Sequence, residues 1–355
     1  MIAASSPLQR PSGAKLLHVD PVGKISHLPR SEFVNLLRAD DLVIANDAAT
    51  LPASLSGHLV RSGRQIEIRL SGRGSLHEVT EFSAVVFGQG NFHTRTEDRP
   101  LPPHLKQGDW LKLGSLNARV VRVLDHPRHV LLRFEGAQGQ IWEGLARHGR
   151  PIQYAHITTP LALWDVWTSI AGPPVAFESP SAGFILDWRL LAEMDVRGVK
   201  FATITHAAGI SSTGDAKLDA LLPFDEAYRI PPATALLIAG AQARGSRIIA
   251  IGTSVVRALE ESATTFDRVV RFGERMATQK ITSANKLHIV DAILSGTHEA
   301  GSSHHDLMSA FADPQSLTRM DMALNEHDFR THEYGDSVFV EKTSGMARSS
   351  LLAAA

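Results

Sequence analysis

Arg247-Ile248-Ile249-Ala250-Ile251-Gly252-Thr253-Ser254-Val255-Val256-Arg257 is the stretch whose reading decides the fold. Four consecutive apolar residues with no polar alternation make a strand buried on both faces, which is the habit of a parallel sheet. The glycine that follows turns the chain into a helix start, where free backbone N–H groups and two hydroxyls converge. Such a turn suits a carboxylate, a phosphate or a ribose oxygen. Thr253 or Ser254 reads equally as a helix N-cap, and Arg257, one helical turn along, faces either a ligand or solvent.

The flanking sequence repeats this pattern. Upstream lie a helix from Asp187 to Met194, a strand from Val199 to Thr205, and a helix over 232–243 that opens at Pro231-Pro232 and closes at Gly245. Helix-forming content returns over His304–Phe311 and Gln315–Ala323. Near the N-terminus, Leu16-Leu17-His18-Val19 reads as a strand. A helix with Ser31 as candidate N-cap follows, with Phe33, Leu36 and Leu37 on one face. Leu42-Val43-Ile44-Ala45 is a second buried strand, and it delivers Asn46-Asp47 at its end. Strands alternating with helices in this order predict an α/β fold, a mainly parallel sheet with crossover helices.

Between about 61 and 150 the pattern changes. Short alternating runs at 65–70, 82–87, 110–113, 118–123 and 130–134, separated by turns, predict an inserted small antiparallel β-barrel domain. The expected organisation is therefore a discontinuous α/β domain over 1–60 and 151–345, a barrel over 61–150, and a flexible Ser/Gly/Ala-rich tail over 346–355. A chain of 355 residues is long enough for two domains.

Composition narrows the function classes. With 43% hydrophobic and 21% charged residues the chain reads as a globular protein, and no apolar run approaches the ~20 residues a membrane span needs. Without a signal-like N-terminus a cytoplasmic location is expected, with no membrane partner. The absence of cysteine excludes disulfides, thiol nucleophiles and thiolate metal sites. Net charge is only −1, but it is unevenly spread. Arg61 to Arg150 holds 14 Lys/Arg against 9 Asp/Glu, a balance of +5, and the rest of the chain holds 22 against 28. That segment is either a surface for a polyanion or a set of solvated strand faces.

Pro180-Ser181-Ala182-Gly183 combines a rigid residue, a hydroxyl and a glycine, so a ligand can approach its backbone closely. His206 follows a strand and precedes a polar loop with Gly209, Ser211, Ser212 and Gly214; it reads as a catalyst or as a packing residue. None of the 17 histidines makes the i, i+4 pair with intervening glutamate of zinc hydrolases, and no metal is expected. No Walker loop, G-x-S-x-G elbow or G-x-G-x-x-G follows a predicted strand.

In this order the motifs resemble one family, the S-adenosylmethionine:tRNA ribosyltransferase-isomerases of queuosine biosynthesis. The matches are Asn46-Asp47 with Pro52-Ala53, Gly149, Pro180-Ser181-Ala182-Gly183, Gly252-Thr253, Val256 to Glu260, Val290-Asp291, Ser309-Ala310-Phe311 and Tyr334-Gly335-Asp336. The resemblance implies an α/β domain interrupted by a β-barrel. It also implies transfer of the ribosyl group of S-adenosylmethionine to a modified guanine in tRNA, with rearrangement and release of adenine and methionine. Protons beside a sulfonium are acidified, so such a reaction needs a base and stabilisation of the departing purine. By motif match, Glu226, His206, His298 and Asp336 are the acid/base candidates, and Asn46, Asp47, Ser181, Gly183, Thr253 and Arg257 the candidates for holding substrate.

The chain also departs from the family pattern. N-D-T-R-V-I-P-A-R becomes Asn46-Asp47-Ala48-Ala49-Thr50-Leu51-Pro52-Ala53-Ser54, which removes two arginines and a threonine. T-A-G-L-H-F becomes Ser181 to Leu186 without its histidine, and apolar residues at Leu222-Pro223-Phe224 replace paired histidines before Glu226. A divergent member is implied. Its alternatives are a binding or regulatory module and an enzyme for a different nucleoside or acceptor.

Overall fold

The apolar runs at 42–45, 199–205 and 248–251 become neighbouring strands in the computed structural model, which describes residues 1–343. The expected flexible tail at 346–355 lies outside the described residues. Nine strands form the main sheet. Their order is Gly273–Ala277, Glu226–Ile230, Lys200–His206, Leu42–Asn46, Ile248–Ile251, Ala292–Gly296, Ser337–Glu341, Lys15–Val19 and Ile25–Pro29. The four central strands, from Lys200–His206 to Ala292–Gly296, run parallel, with Ile44 opposite both Ala202 and Ala250. Lys15–Val19 is parallel to Ser337–Glu341, and the remaining pairings are antiparallel.

Both faces of this sheet are covered, which is why its central strands read as unbroken apolar runs. Leu42, Ile44, Ile248 and Ala250 point into a core shared with helices Pro232–Arg244, Thr253–Thr265 and Pro314–Glu326. Val43, Ala45, Ile249 and Ile251 point the other way, against Phe33, Leu190 and Met194. Asp187 caps Trp188–Val196 by accepting from the Leu190 N–H at 2.7 Å. Pro232 opens its helix, and Gly245 closes it in the left-handed region at φ 68°. The segment after Pro29 differs from expectation: Arg30–Leu36 is a 3₁₀ helix, with Ser31 inside it rather than capping it. Burial of Phe33 and Val34 fixes that short turn.

The barrel closes in six antiparallel strands: Ser54–Leu59, Gln65–Gly72, Glu81–Phe87, His129–Phe134, Leu116–Val123, Trp110–Leu113 and back to Ser54–Leu59. Closure needs Gly57, because a Cβ there would lie 2.0 Å from the Lys112 carbonyl oxygen. Helix Gln138–His148 follows, and Gly149–Arg150 pairs back onto Ser54–Leu59 before the chain returns to the α/β unit.

Inside the barrel Glu67 accepts from Arg69 Nε at 3.0 Å, Arg99 Nη1 at 2.6 Å and Ser54 Oγ at 2.9 Å. Burial pushes the Glu67 carboxyl up, but the two guanidiniums outweigh it and hold the carboxyl below its ordinary value. Four of the barrel segment's 14 cations, Arg69, Arg73, Arg99 and Arg128, are buried, as is one of its 9 acids. Ten cations against eight acids remain at the surface, so much of the segment's excess charge is internal. Removing one partner of a buried ionic cluster leaves uncompensated charge, so Glu67→Gln is expected to destabilise the chain by about 3 kcal/mol, read as a lower midpoint in urea unfolding.

Candidate active site

Parallel strands put their C-terminal ends at one edge, and the cleft is there. Asn46 ends one strand, and its side chain extends the ladder. Asn46 Nδ2 donates to the His206 carbonyl at 2.9 Å, and Asn46 Oδ1 accepts from the His206 N–H at 2.9 Å and the Ala48 N–H at 3.0 Å. Asp47 accepts from the Thr203 and Thr205 hydroxyls at 3.0 and 2.7 Å. Both side chains thus fix the strand ends, and Asn46 Nδ2 also lies 3.5 Å from the Ser254 hydroxyl.

Beyond the Ile248–Ile251 strand the turn is made by Gly252, at φ 94°, which serves as N-cap of helix Thr253–Thr265. Neither hydroxyl caps that helix. Thr253 and Ser254 instead line a cleft with about 830 Å³ of empty space, part of it open to solvent. Its other walls are the 178–182 and 208–211 loops, Glu226 with Arg257, and the segment from Ser295 to Leu307.

Arg257 Nη1 pairs with Glu226 Oε2, and the same guanidinium donates to the carbonyls of Phe224, Ala277 and Gln279 at 3.2, 3.0 and 3.2 Å. Glu226 Oε1 accepts from the Gly209 N–H at 2.5 Å. Burial nevertheless raises the Glu226 carboxyl above its ordinary value. His206 lies behind this pair, its Nε2 3.6 Å from Glu226 Oε2. Burial, and then the Arg257 charge, push its imidazole well below the usual range, so it is neutral. Neither of its ring nitrogens has a hydrogen-bond partner among the described residues.

Five of the ten residues singled out from sequence line the cleft: Glu226, His298, Ser181, Thr253 and Arg257. Asn46, Asp47, Gly183, His206 and Asp336 do not. Gly183 sits in the buried turn Ser181–Ile185, where a Cβ would meet Thr168 at 3.0 Å. Asp336 accepts from the backbone N–H groups of Lys15 and Arg330 at 2.8 Å each, tying the first long strand to the turn before the last one. His298 stacks on His304 with ring centres 4.3 Å apart, and burial drives both imidazoles down, His304 to about 4.

Sequence reading passed over Glu178, which also lines the cleft. Its Oε1 accepts from the Tyr154 hydroxyl and its Oε2 from the Ser211 N–H at 3.1 Å. No local signal marks it, because its partners lie 24 and 33 residues away.

A family model described as queuosine biosynthesis protein matches residues 1–340. The S-adenosylmethionine:tRNA ribosyltransferase-isomerase of Geobacter sulfurreducens is 30% identical over 346 residues, 96% of each chain. The protein of that name from Thiobacillus denitrificans is 29% identical, over 93% of this chain and 91% of its own. Among solved structures, an S-adenosylmethionine tRNA ribosyltransferase from Thermotoga maritima aligns with a TM-score of 0.49 and 21% identity, covering 95% of this chain and 96% of its own.

Without Arg257 the Glu226 carboxylate is buried with no counter-charge. Arg257→Ala is expected to cost about 3–5 kcal/mol, and adding Glu226→Gln to return part of that loss. A double-mutant cycle by urea unfolding measures the coupling.

Proposed function

The chain belongs to the queuosine biosynthesis protein family, and on that premise we propose that it transfers and rearranges the ribosyl group of S-adenosylmethionine onto a modified guanine in tRNA. The observation that carries this reading is the cleft at the parallel strand ends. One wall offers the Thr253 and Ser254 hydroxyls on the first turn of a 13-residue helix, suited to ribose or carboxylate oxygens, with Ser254 Oγ also 3.5 Å from Asn46 Nδ2. The floor is the Arg257–Glu226 pair, and apolar Ala182, Ile210 and Leu307 supply surface for a purine. Ser181 and Thr253 contact the nucleoside in this proposal, while Asn46, Asp47, Gly183 and Asp336 act at one remove by fixing the backbone around it.

A second reading, binding without turnover or action on a different acceptor, is favoured by Ala48 and Ala49. They are buried where the family pattern has a threonine and an arginine, so this segment brings no cation to the cleft. Adenine release separates the two. With S-adenosylmethionine and precursor-bearing tRNA, catalytic release of adenine is expected, and Thr253→Val is expected to raise KM about tenfold by removing a ligand hydrogen bond. Binding of S-adenosylmethionine in calorimetry with no adenine formed would support the second reading instead.

The barrel is proposed to hold the RNA through its exposed cations, among them Arg119 and Arg122 on one strand. Phosphate contacts release counterions, so tRNA affinity is expected to fall steeply with salt in gel shifts. Arg119→Gln with Arg122→Gln is expected to flatten the log–log slope by about 1 to 2.

A further inference from the structure

A cleft that moves protons needs a group free to change its charge, and the acid/base candidates from sequence do not offer one. Glu226 is tied to Arg257, the His298 imidazole is driven far down, and His206 and Asp336 do not line the space. Glu178 does line it, on the wall formed by the Ser179-Pro180-Ser181-Ala182 loop.

The hydrogen bonds around Glu178 accommodate both of its charge states. As a carboxylate it accepts from the Tyr154 hydroxyl through Oε1 and from the Ser211 N–H through Oε2. The Tyr154 oxygen also lies 3.2 Å from the Ser212 carbonyl and accepts from the Ser212 N–H at 3.3 Å. When Glu178 gains a proton on Oε1, the Tyr154 O–H can turn to the Ser212 carbonyl and accept the new O–H in its place. Tyr154 thus keeps a hydrogen bond to Glu178 in both charge states, its hydroxyl hydrogen serving the carboxylate in one and the Ser212 carbonyl in the other.

We propose that Glu178 is the carboxyl that exchanges a proton with the ligand bound in this cleft, with Tyr154 as its positioning residue. A bond from hydrogen to the ligand breaks, its electron pair stays with the ligand, and the proton forms the O–H bond on Glu178; the reverse step returns it. The identity of the ligand rests on the reading under Proposed function.

The surrounding charges set where Glu178 titrates. Burial pushes its carboxyl up to about 7 against the Tyr154 hydrogen bond, and the Glu333 charge adds to the rise. His156 Nε2 lies 3.1 Å from Glu333, and the Arg69 guanidinium stands 5.3 Å from the Tyr154 ring. Lys280, Glu226, Arg257 and His298 face Glu178 from elsewhere around the cleft.

Two measurements on the full chain test this. In infrared titration from about pH 5 to 9, a protonated-carboxyl band should fade near neutrality and be absent in Glu178→Gln. Its midpoint should rise in Tyr154→Phe, which loses a bond to the charged form, and fall in Glu333→Gln, which loses a repelling charge. In adenine release the wild type should show a limb in kcat/KM at the same midpoint, moving with it in both variants, and Glu178→Gln should lose the limb and at least about 100-fold in kcat/KM. A missing band, a band that does not move in opposite directions in the two variants, or a Glu178→Gln chain with the wild-type profile overturns the assignment. If the wild type releases no adenine, the ribosyl-transfer reading fails, while the infrared midpoints still decide Glu178.

Discussion

Three parallel pairings at the centre of the main sheet force the ends of Leu42–Asn46, Lys200–His206, Ile248–Ile251 and Ala292–Gly296 onto one edge, and everything in the cleft depends on that alignment. The alignment is maintained by the burial of both faces of these strands, since a slip of one residue would exchange the two apolar cores. Asn46 carries the pairing one residue further than the backbone can, by presenting an amide to both backbone groups of His206. The edge is therefore fixed by hydrogen bonds beside the point where Gly252 releases the chain into the helix that lines the cleft.

The barrel is a separate solution to a different problem. It interrupts the α/β unit after the second apolar run and closes on itself through Gly57, leaving no open strand edge between Ser54–Leu59 and Trp110–Leu113. Much of its positive charge is structural: Arg69 and Arg99 share Glu67 in the interior, and Arg128 reaches the carbonyls of Val86 and Thr213. A polyanion meets only the residual surface cations.

How much of this was legible in the sequence follows from the range of each interaction. Ile248 to Ile251 with Gly252, and the helix between Pro231 and Gly245, were legible because strand, turn and cap signals lie within a few residues of each other. Ser54–Leu59 was not, because Gly57 and His58 dilute its alternation and its strand character comes from pairing with Gln65–Gly72 and from closure with residues 111–112. The edge strand Gly273–Ala277 and its neighbour Glu226–Ile230 carry charges that mask their pattern. Motif reading brought Ser181, Thr253, Arg257, Glu226 and His298 to the cleft, but it does not distinguish a carboxylate that locks a turn, as Asp336 does, from one that moves protons. Glu178 stayed hidden because its setting is built from Tyr154 and Ser211, far away in the chain.

The proposed function places the nucleoside in the strand-end cleft. Amide hydrogen exchange with and without S-adenosylmethionine tests it most directly. Protection is expected to be confined to the cleft walls, over 178–182, 208–211 and 252–254 with Arg257. Protection in the barrel alone, or none at saturating ligand, would contradict it.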